Sequence, residues 1–294
     1  AFTQEKAIFK RSEDSSLARI EDLGKLALEN EAYENAKDIF EFIIKNSSDP
    51  VFKLNAQLHI IEIQLLDADA NMLEQIENSF KELLTSYDYK SNTLQLQIAY
   101  ANFLTFQKNK PEQAISILKK SLDLPLNNYT TAYLKMALGD ILVFDQKFNQ
   151  ALIYFSQIQQ SLKNDVLGQD ARFKVAQTSF YKGDFDWALT QLKVLRSSTS
   201  QLIANDAMQL SLLISDNSLE DSTQTALKMY AKADLLSYQN KTKEAIATLE
   251  TILQDHKGEK IEDEALLKQG ELLEKIKDYE AAKFNYQKII EFYS

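Results

Sequence analysis

The sequence predicts an all-α fold, a solenoid of about seven antiparallel helical hairpins, on three observations. First, a small residue inside an apolar-patterned stretch is followed twelve residues later by Ala and four residues after that by a bulky side chain, and this triplet recurs along the chain. Second, the copies are spaced almost evenly, as repeat architectures require. Third, only 6 Gly and 3 Pro occur in 294 residues. Turn-rich β folds depend on both residues, because Gly supplies positive φ and Pro presets turn geometry. Their scarcity favours helices joined by short polar turns.

The triplets are Gly24, Ala36 and Phe40; Gly139, Ala151 and Phe155; Ala176, Ala188 and Leu192; Ala233, Ala245 and Leu249; and Gly270, Ala282 and Tyr286. Ala101, Ala114 and Leu118 form a sixth copy with one extra residue. A small side chain on one helix admits the next helix closely, and the Ala faces it. The bulky residue one turn further lies on the same face and fills the remaining space. The interval is 38 residues from Ala101 to Gly139, and 37 both from Gly139 to Ala176 and from Ala233 to Gly270. The 77 residues from Gly24 to Ala101 span two periods, so a degenerate hairpin is expected at 51–90. The 57 from Ala176 to Ala233 leave room for one additional helix.

In chain order, a capping helix is expected within 1–16, near 3–11. Hairpins follow over 17–50, 51–90, 93–127, 129–165, 166–200, 222–259 and 262–294, with the extra helix at 201–216. Within them the helices are expected at 17–29 and 33–46, 51–66 and 71–86, 93–107 and 111–122, 129–144 and 148–162, 166–181 and 185–196, 222–238 and 242–255, and 262–276 and 279–293. Pro111 suits a helix start, where the missing N–H costs nothing. Pro50 and Pro125 are expected between helices. With no Gly/Ser linker dividing it, the chain is expected to form one continuous array. The apolar stripe of the last helix (Tyr279, Ala282, Lys283, Tyr286, Ile289, Ile290, Tyr293) is expected to pack mostly inward. Any bare part is an attachment surface for further repeats or for a second copy.

These features resemble the tetratricopeptide repeat family. The resemblance is carried by Leu138-Gly139 with Phe148, Ala151 and Phe155, by Val175-Ala176 with Tyr181, Gly183-Asp184-Phe185 and Ala188, and by Lys277 to Ala282 before Tyr286. It covers about 240 residues, with 51–90 poorly matched. The family's Trp near the start of each unit and its closing Pro are absent, and the period exceeds the family's 34. The resemblance implies a right-handed superhelical solenoid whose first helices line a concave groove that holds a peptide or partner protein. Carried onto this chain, the groove positions are Asn102 and Phe106; Tyr133, Met136, Asp140 and Phe144; Phe173, Gln177 and Tyr181; Tyr230, Asp234 and Tyr238; and Lys268, Glu271 and Lys275. Aromatics give contact area at low entropy cost, and amides pair with extended backbone. With Asp140 and Asp234 among few bases, a neutral or basic segment is the expected ligand. Packing against adjacent helices is the competing role for the aromatics, and the acids are expected in solvent. The segments 202–207, 210–214 and 226–234 further resemble long bacterial cell-envelope repeat proteins, which implies the periplasm or envelope, with the cytoplasm as the alternative.

Chemistry is sparse. Formal charge is −10, from 43 acidic and 33 basic residues. Such a surface repels a phosphate backbone, so no nucleic-acid partner is expected. Cysteine is absent, which excludes disulfides, thiolate metal sites and a cysteine nucleophile. No apolar run approaches the ~20 residues that cross a bilayer, so no membrane insertion is expected. The first residue is not Met and no secretory apolar segment follows, so the chain is expected to be a processed or excised piece.

The two histidines read as a helix-face imidazole (His59) and a helix-end residue (His256). Asp67-Ala68-Asp69-Ala70-Asn71 opens like a calcium loop, but Met72 and Asn78 stand where such a loop needs Gly and Glu. No phosphate loop or nucleophile elbow occurs. Acidic Glu262, Asp263 and Glu264 suit a helix N-terminus, and Trp187, beside Ala188, is expected to pack. No catalytic, metal or cofactor site is therefore expected. The expected role is a non-catalytic interaction scaffold or adaptor. The alternative is a sugar- or peptide-capturing envelope component beside a transporter.

Overall fold

The computed structural model describes residues 13–218 and 224–292, with side chains from Leu17 to Glu291. The leading helix expected near 3–11, and Tyr293, lie outside the described residues. Among those residues there are fifteen α-helices and no strand. The chain divides into two compact units, residues 1–126 and 127–294.

The first unit holds α1 (Glu13–Glu29), α2 (Tyr33–Asn46), α3 (Pro50–Leu65), α4 (Ala70–Tyr87), a 3₁₀ turn (Ser91–Thr93), α5 (Leu94–Phe106) and α6 (Pro111–Ser121). The second holds α7 (Asn128–Phe144), α8 (Phe148–Ser161), α9 (Val166–Lys182), α10 (Phe185–Leu195), α11 (Gln201–Asn217), α12 (Thr225–Tyr238), α13 (Thr242–Asp255), α14 (Ile261–Lys275) and α15 (Tyr279–Phe292). Within each unit, consecutive helices pack as neighbours except at α11, the additional helix between two hairpins: α11 packs on α10 and α9, and α12 packs back on α9.

Helix starts follow local chemistry. Asp49, Asp69, Asn127, Asp165 and Ser200 cap α3, α4, α7, α9 and α11 by accepting from backbone N–H groups at 2.7–3.4 Å. Each such cap satisfies a donor that the first turn leaves free. Asp69 therefore caps a helix in the segment that opens like a calcium loop. Pro50, expected between helices, instead opens α3, and Pro111 opens α6. Both occupy the position where a missing N–H costs nothing.

The small-residue notches do what their spacing implies. A Cβ added at Gly24 would lie 2.8 Å from the Phe40 ring, and one at Gly270 would lie 2.5 Å from Tyr286. The same addition at Gly139 would collide with Phe155. Ala36, Ala114, Ala151, Ala188, Ala245 and Ala282 are at most 1% exposed. Phe40 and Phe155 are fully buried, each contributing roughly 1.5–3 kcal/mol of apolar transfer.

The turn inside each notched hairpin has one geometry. Glu31, Gln146, Gly183, Asn240 and Lys277 have positive φ, and each stands seven residues after its notch. The next backbone N–H reaches back five residues at 2.8–2.9 Å: Ala32 to Ala27, Lys147 to Leu142, Asp184 to Ser179, Lys241 to Leu236 and Asp278 to Leu273. This is the left-handed helix-ending turn that satisfies orphan carbonyls. In the copy with one extra residue the same roles fall to Asn109, eight residues after its notch, and to Lys110, which bonds Leu104 at 2.7 Å.

The α3–α4 hairpin is different. Residues 58–66 (Leu-His-Ile-Ile-Glu-Ile-Gln-Leu-Leu) contain no small notch. Accordingly α3 and α4 pack more loosely than the helices of the other hairpins.

Candidate functional site

In the first unit the first helices of three hairpins, α1, α3 and α5, border a cleft of about 530 Å³. Its apolar lining comes from Leu58, Ile61, Leu65, Phe80, Ile98 and Ala99. The polar lining comes from Asn55, Gln95, Asn102, His59, and Glu21 with Lys25, joined by Glu62. The ionisable side chains meet within the lining: Lys25 lies 3.3 Å from Glu21, and His59 Nδ1 lies 3.1 Å from Glu62 Oε2. The His59 ring stacks on Phe40 with centroids 4.6 Å apart, which places it at the wall of the cleft. The amides of Asn55, Gln95 and Asn102 have no hydrogen-bond partner among the described residues. A side-chain amide offers two donors and an acceptor, so three free amides can pair with an extended backbone laid along the cleft. The loose α3–α4 hairpin, with no notch to draw its helices together, is the local reason that space remains.

In the second unit the corresponding helix faces are tied together. Lys174 Nζ on α9 meets Asp140 Oδ1 on α7 at 2.9 Å, and Lys268 Nζ on α14 meets Asp234 Oδ1 on α12 at 2.7 Å. The two pairs are equivalent by repeat position: an Asp directly after one notch and a Lys two residues before the next. Tyr181 donates its hydroxyl to Asp234 Oδ2 at 3.2 Å, and Tyr238 donates to the Asp140 carbonyl at 3.1 Å. Gln239 Nε2 donates to the Phe144 carbonyl at 2.6 Å. The rings of Phe144 and Tyr181 each stand 6.5 Å from that of Tyr238. Aromatics five residues after three notches thus close the C-terminal ends of α7, α9 and α12 on one another.

This environment moves the titrating groups. Burial pushes the Tyr181 hydroxyl well above the ordinary tyrosine range, and the Asp234 carboxylate beside it adds to the effect. Burial does the same to Tyr230 and Tyr238, reinforced by Asp234 and Asp140 respectively. Burial also raises Asp140, and Lys174 acts in the opposite direction.

The positions expected to line a groove therefore separate into groups. Asn102 lies in the open cleft of the first unit, and Phe106 is half-buried at the end of α5. Tyr133 is 47% exposed and meets Tyr129 edge-on at 5.2 Å. Met136, Phe144 and Tyr230 are buried. Phe173 packs on the core of the second unit, and Gln177 is half-buried. Tyr181, Asp234 and Tyr238 belong to the bonded network. Glu271 and Lys275 are exposed, whereas Lys268 is engaged with Asp234. Two expectations need correction. Asp140 and Asp234 are not free acids in solvent, because Lys174 and Lys268 neutralise them. The preference for a neutral or basic segment, argued from those two acids, loses that basis. Lys174 is the residue the sequence reading passed over. The signal was its position two residues before Ala176, matching that of Lys268 before Gly270.

Elsewhere, Trp187 keeps 49% of its surface in solvent, and on α15 Tyr279 (61%) and Ile290 (67%) are bare rather than packed. His256 closes α13 with Nδ1 2.8 Å from Glu259. Among the described residues no three of His, Asp and Glu are grouped as a metal would require. Among the described residues, no helix is long and apolar enough to cross a membrane.

Notched hairpins with a shared left-handed turn build a helical-repeat fold of the tetratricopeptide type. The sequence model of the tetratricopeptide repeat family matches residues 264–294, the hairpin α14–α15. No curated protein sequence matches the chain. Among solved structures, a Rap protein complexed with Competence and Sporulation Factor superposes with a TM-score of 0.52 at 17% identity, over 91% of this chain and 72% of that one. The apo form of the quorum sensor NprR from B. thuringiensis superposes with a TM-score of 0.52 at 15% identity, over 99% of this chain and 80% of that one. These likenesses concern the fold.

Proposed function

We propose that the chain is a non-catalytic interaction scaffold and that it holds an extended segment of a partner protein in the α1–α3–α5 cleft. The observation that carries this reading is the row of unpartnered amides, Asn55, Gln95 and Asn102, above an apolar floor. Apolar side chains of the ligand fill the space over Leu58, Ile61 and Phe80, while its backbone pairs with the amides, as extended peptides do in grooves. Similarity of fold to a Rap protein solved with a bound factor supports a ligand-holding role. The test is affinity purification from the native cell with wild-type chain and with Asn55→Ala plus Asn102→Ala. Partners retained by the wild type should be lost from the double variant. If the double variant keeps all of them, the cleft is not the site.

A second reading has one observation behind it. The exposed Tyr129–Tyr133 pair is a stacking platform of the kind that suits a sugar, as a capture component beside a transporter needs. An oligosaccharide panel monitored by thermal stabilisation tests it, and a flat response removes it. An envelope location rests on the resemblance of residues 202–234, and fractionation of the native cell tests it. The bare row on α15 is the proposed attachment point for a further repeat or a second copy, tested by light scattering of Ile290→Glu.

A further inference from the structure

We propose that a pocket beside the α8–α9 turn binds a small oxyanion of the phosphate type, either as the free ion or as the end group of a small phosphomonoester. The pocket has a volume of about 180 Å³ and lies between that turn, the first half of α9 and the C-terminal end of α10. Lys163, Asn164, Gln169, Arg172, Ser197 and Ser198 supply its polar lining, and no carboxylate is present in the lining. That is unusual for a chain with 43 acidic and 33 basic residues. Lys25, Lys81, Lys108, Lys110, Lys147, Lys174 and Lys268 each meet a carboxylate within 4 Å. Lys163 and Arg172 make no ion pair among the described residues.

The carboxylates closest in sequence are engaged elsewhere. Asp165 caps α9 by accepting from Leu167 N at 2.8 Å. Asp170 is governed by burial and by Lys174, Asp140 and Asp206. Arg172 is half-buried, and one edge of its guanidinium is already fixed. With the Gln159 carbonyl turned toward it, Nε and Nη2 donate to that oxygen at 3.2 and 2.8 Å. For the remaining Nη donors the pocket lining offers no carboxylate.

Gly168 explains how the two cations come to share one space. A Cβ there would collide with the Leu162 backbone carbonyl, so glycine lets the turn carrying Lys163 and Asn164 lie directly on α9. Arg172 follows Gly168 by four residues and lies on the same helical face. On the opposite wall, Ser198 donates to the Gln169 side-chain oxygen, which holds the α10–α11 turn against α9. An ammonium, part of a planar guanidinium, hydroxyls and an amide make a donor set for tetrahedral oxygens, not for a cation or an apolar group. The volume admits one such group, with the rest of a phosphomonoester left outside the pocket.

The experiment is isothermal titration of the full chain with inorganic phosphate, and separately with phenyl phosphate, at fixed ionic strength against sodium chloride. Saturable binding of either is expected, weakened about tenfold by Lys163→Gln and by Arg172→Gln, the loss typical of one charge-assisted bond. Lys193→Gln, an exposed lysine on α10 outside the pocket, should bind as the wild type does. Tighter binding of inorganic phosphate assigns the pocket to the free ion, and tighter binding of phenyl phosphate assigns it to a phosphomonoester. Arg172 also holds Gln159, so its loss can disturb packing. Lys163 projects into solvent, and its variant keeps the test independent of folding. Heats equal to those of chloride for both anions, or unchanged affinity in Lys163→Gln, overturn the proposal.

Discussion

The first-helix faces of the two units are built from the same repeat, yet one is open and the other is bonded shut. In the first unit, Asn55, Gln95 and Asn102 stand free around a cleft of about 530 Å³. In the second, the Asp140–Lys174 and Asp234–Lys268 pairs, with Tyr181 and Tyr238, cross-link four helices. The difference lies in residues that the repeat leaves unconstrained. Notch, alanine and plug decide whether hairpins form. The residues one and five places after the notch, with the residue two places before the next notch, decide whether the face is bonded shut. At those places the first unit has Asn102 and Phe106 after Ala101, whereas the second has Asp140 and Phe144, then Asp234 and Tyr238. A repeat can thus keep its fold while one face stays open and another is bonded shut.

The largest effect is expected where the two regions are alike. Phe40→Ala in the first unit and Phe155→Ala in the second each empty a notch that a full ring now fills, and each should cost about 3–5 kcal/mol. Denaturant melts of the two variants measure this. A cost at Phe40 well below 1 kcal/mol would mean that the first unit does not share the packing rule, and the comparison would lose its basis.

The next effect separates them. Asp234→Ala removes the partner of both Lys268 and Tyr181 inside the bonded face. Both ends of the ion pair are about one-quarter exposed, so solvent moderates the loss, and about 1–3 kcal/mol is expected. Asp234→Asn keeps an acceptor for Tyr181 and should recover part of it. An Asp234→Ala variant as stable as the wild type would show that the cross-links hold nothing.

The fold was legible from residue spacing because each notch is a small side chain whose absence of bulk cannot be substituted. Gly24, Gly139 and Gly270 with their aromatic plugs located three hairpins from spacing alone. The helix-ending turns were legible as positions but not as chemistry. Gly183, Asn109 and Asn240 are residue types that tolerate positive φ, whereas Glu31, Gln146 and Lys277 adopt it under the demand of the hairpin. The site was less legible. Asn102 was recognised by its place after Ala101. Asn55 was not, since α3 has no notch from which to count, and Gln95 was not, since it stands six residues before Ala101 rather than just after it. The Asp140–Lys174 pair joins residues 34 apart, and reading Asp140 alone gave it an exposure that its partner removes.

Alkaline pH sharpens the contrast. Tyr181, Tyr230 and Tyr238 are held protonated far above the ordinary range by burial and neighbouring carboxylates. An unfolded tyrosine ionises near pH 10. Above that pH the unfolded state has released protons that the folded state still holds, so stability is full below about pH 10 and falls as pH rises further. The slope is about 1.4 kcal/mol per pH unit for each such tyrosine. Tyr181→Phe should flatten the decline of the second unit between pH 10 and 12, followed by tyrosinate absorbance and far-ultraviolet circular dichroism together. Exposed tyrosines such as Tyr129 and Tyr133 ionise first, so the decisive outcome is full ionisation of all 13 tyrosines before helix is lost, which would place these hydroxyls in solvent.

The smallest expected effect on stability carries the most weight for function. Asn55 and Asn102 have no partner to lose among the described residues, so replacing both by Ala should change the unfolding free energy by no more than about 0.5 kcal/mol. Under the proposed function, the same double variant should lose the partner segment, because these amides would pair with its backbone. Asp234→Ala should behave in the reverse way, losing stability while retaining the partner. That crossed outcome, one variant stable and non-binding and the other unstable and binding, distinguishes an open face from a bonded one more sharply than either measurement alone. If Asn55→Ala with Asn102→Ala costs several kcal/mol, the amides are structural. The cleft would then be a packing defect left by the notchless α3–α4 hairpin, with no binding surface in it.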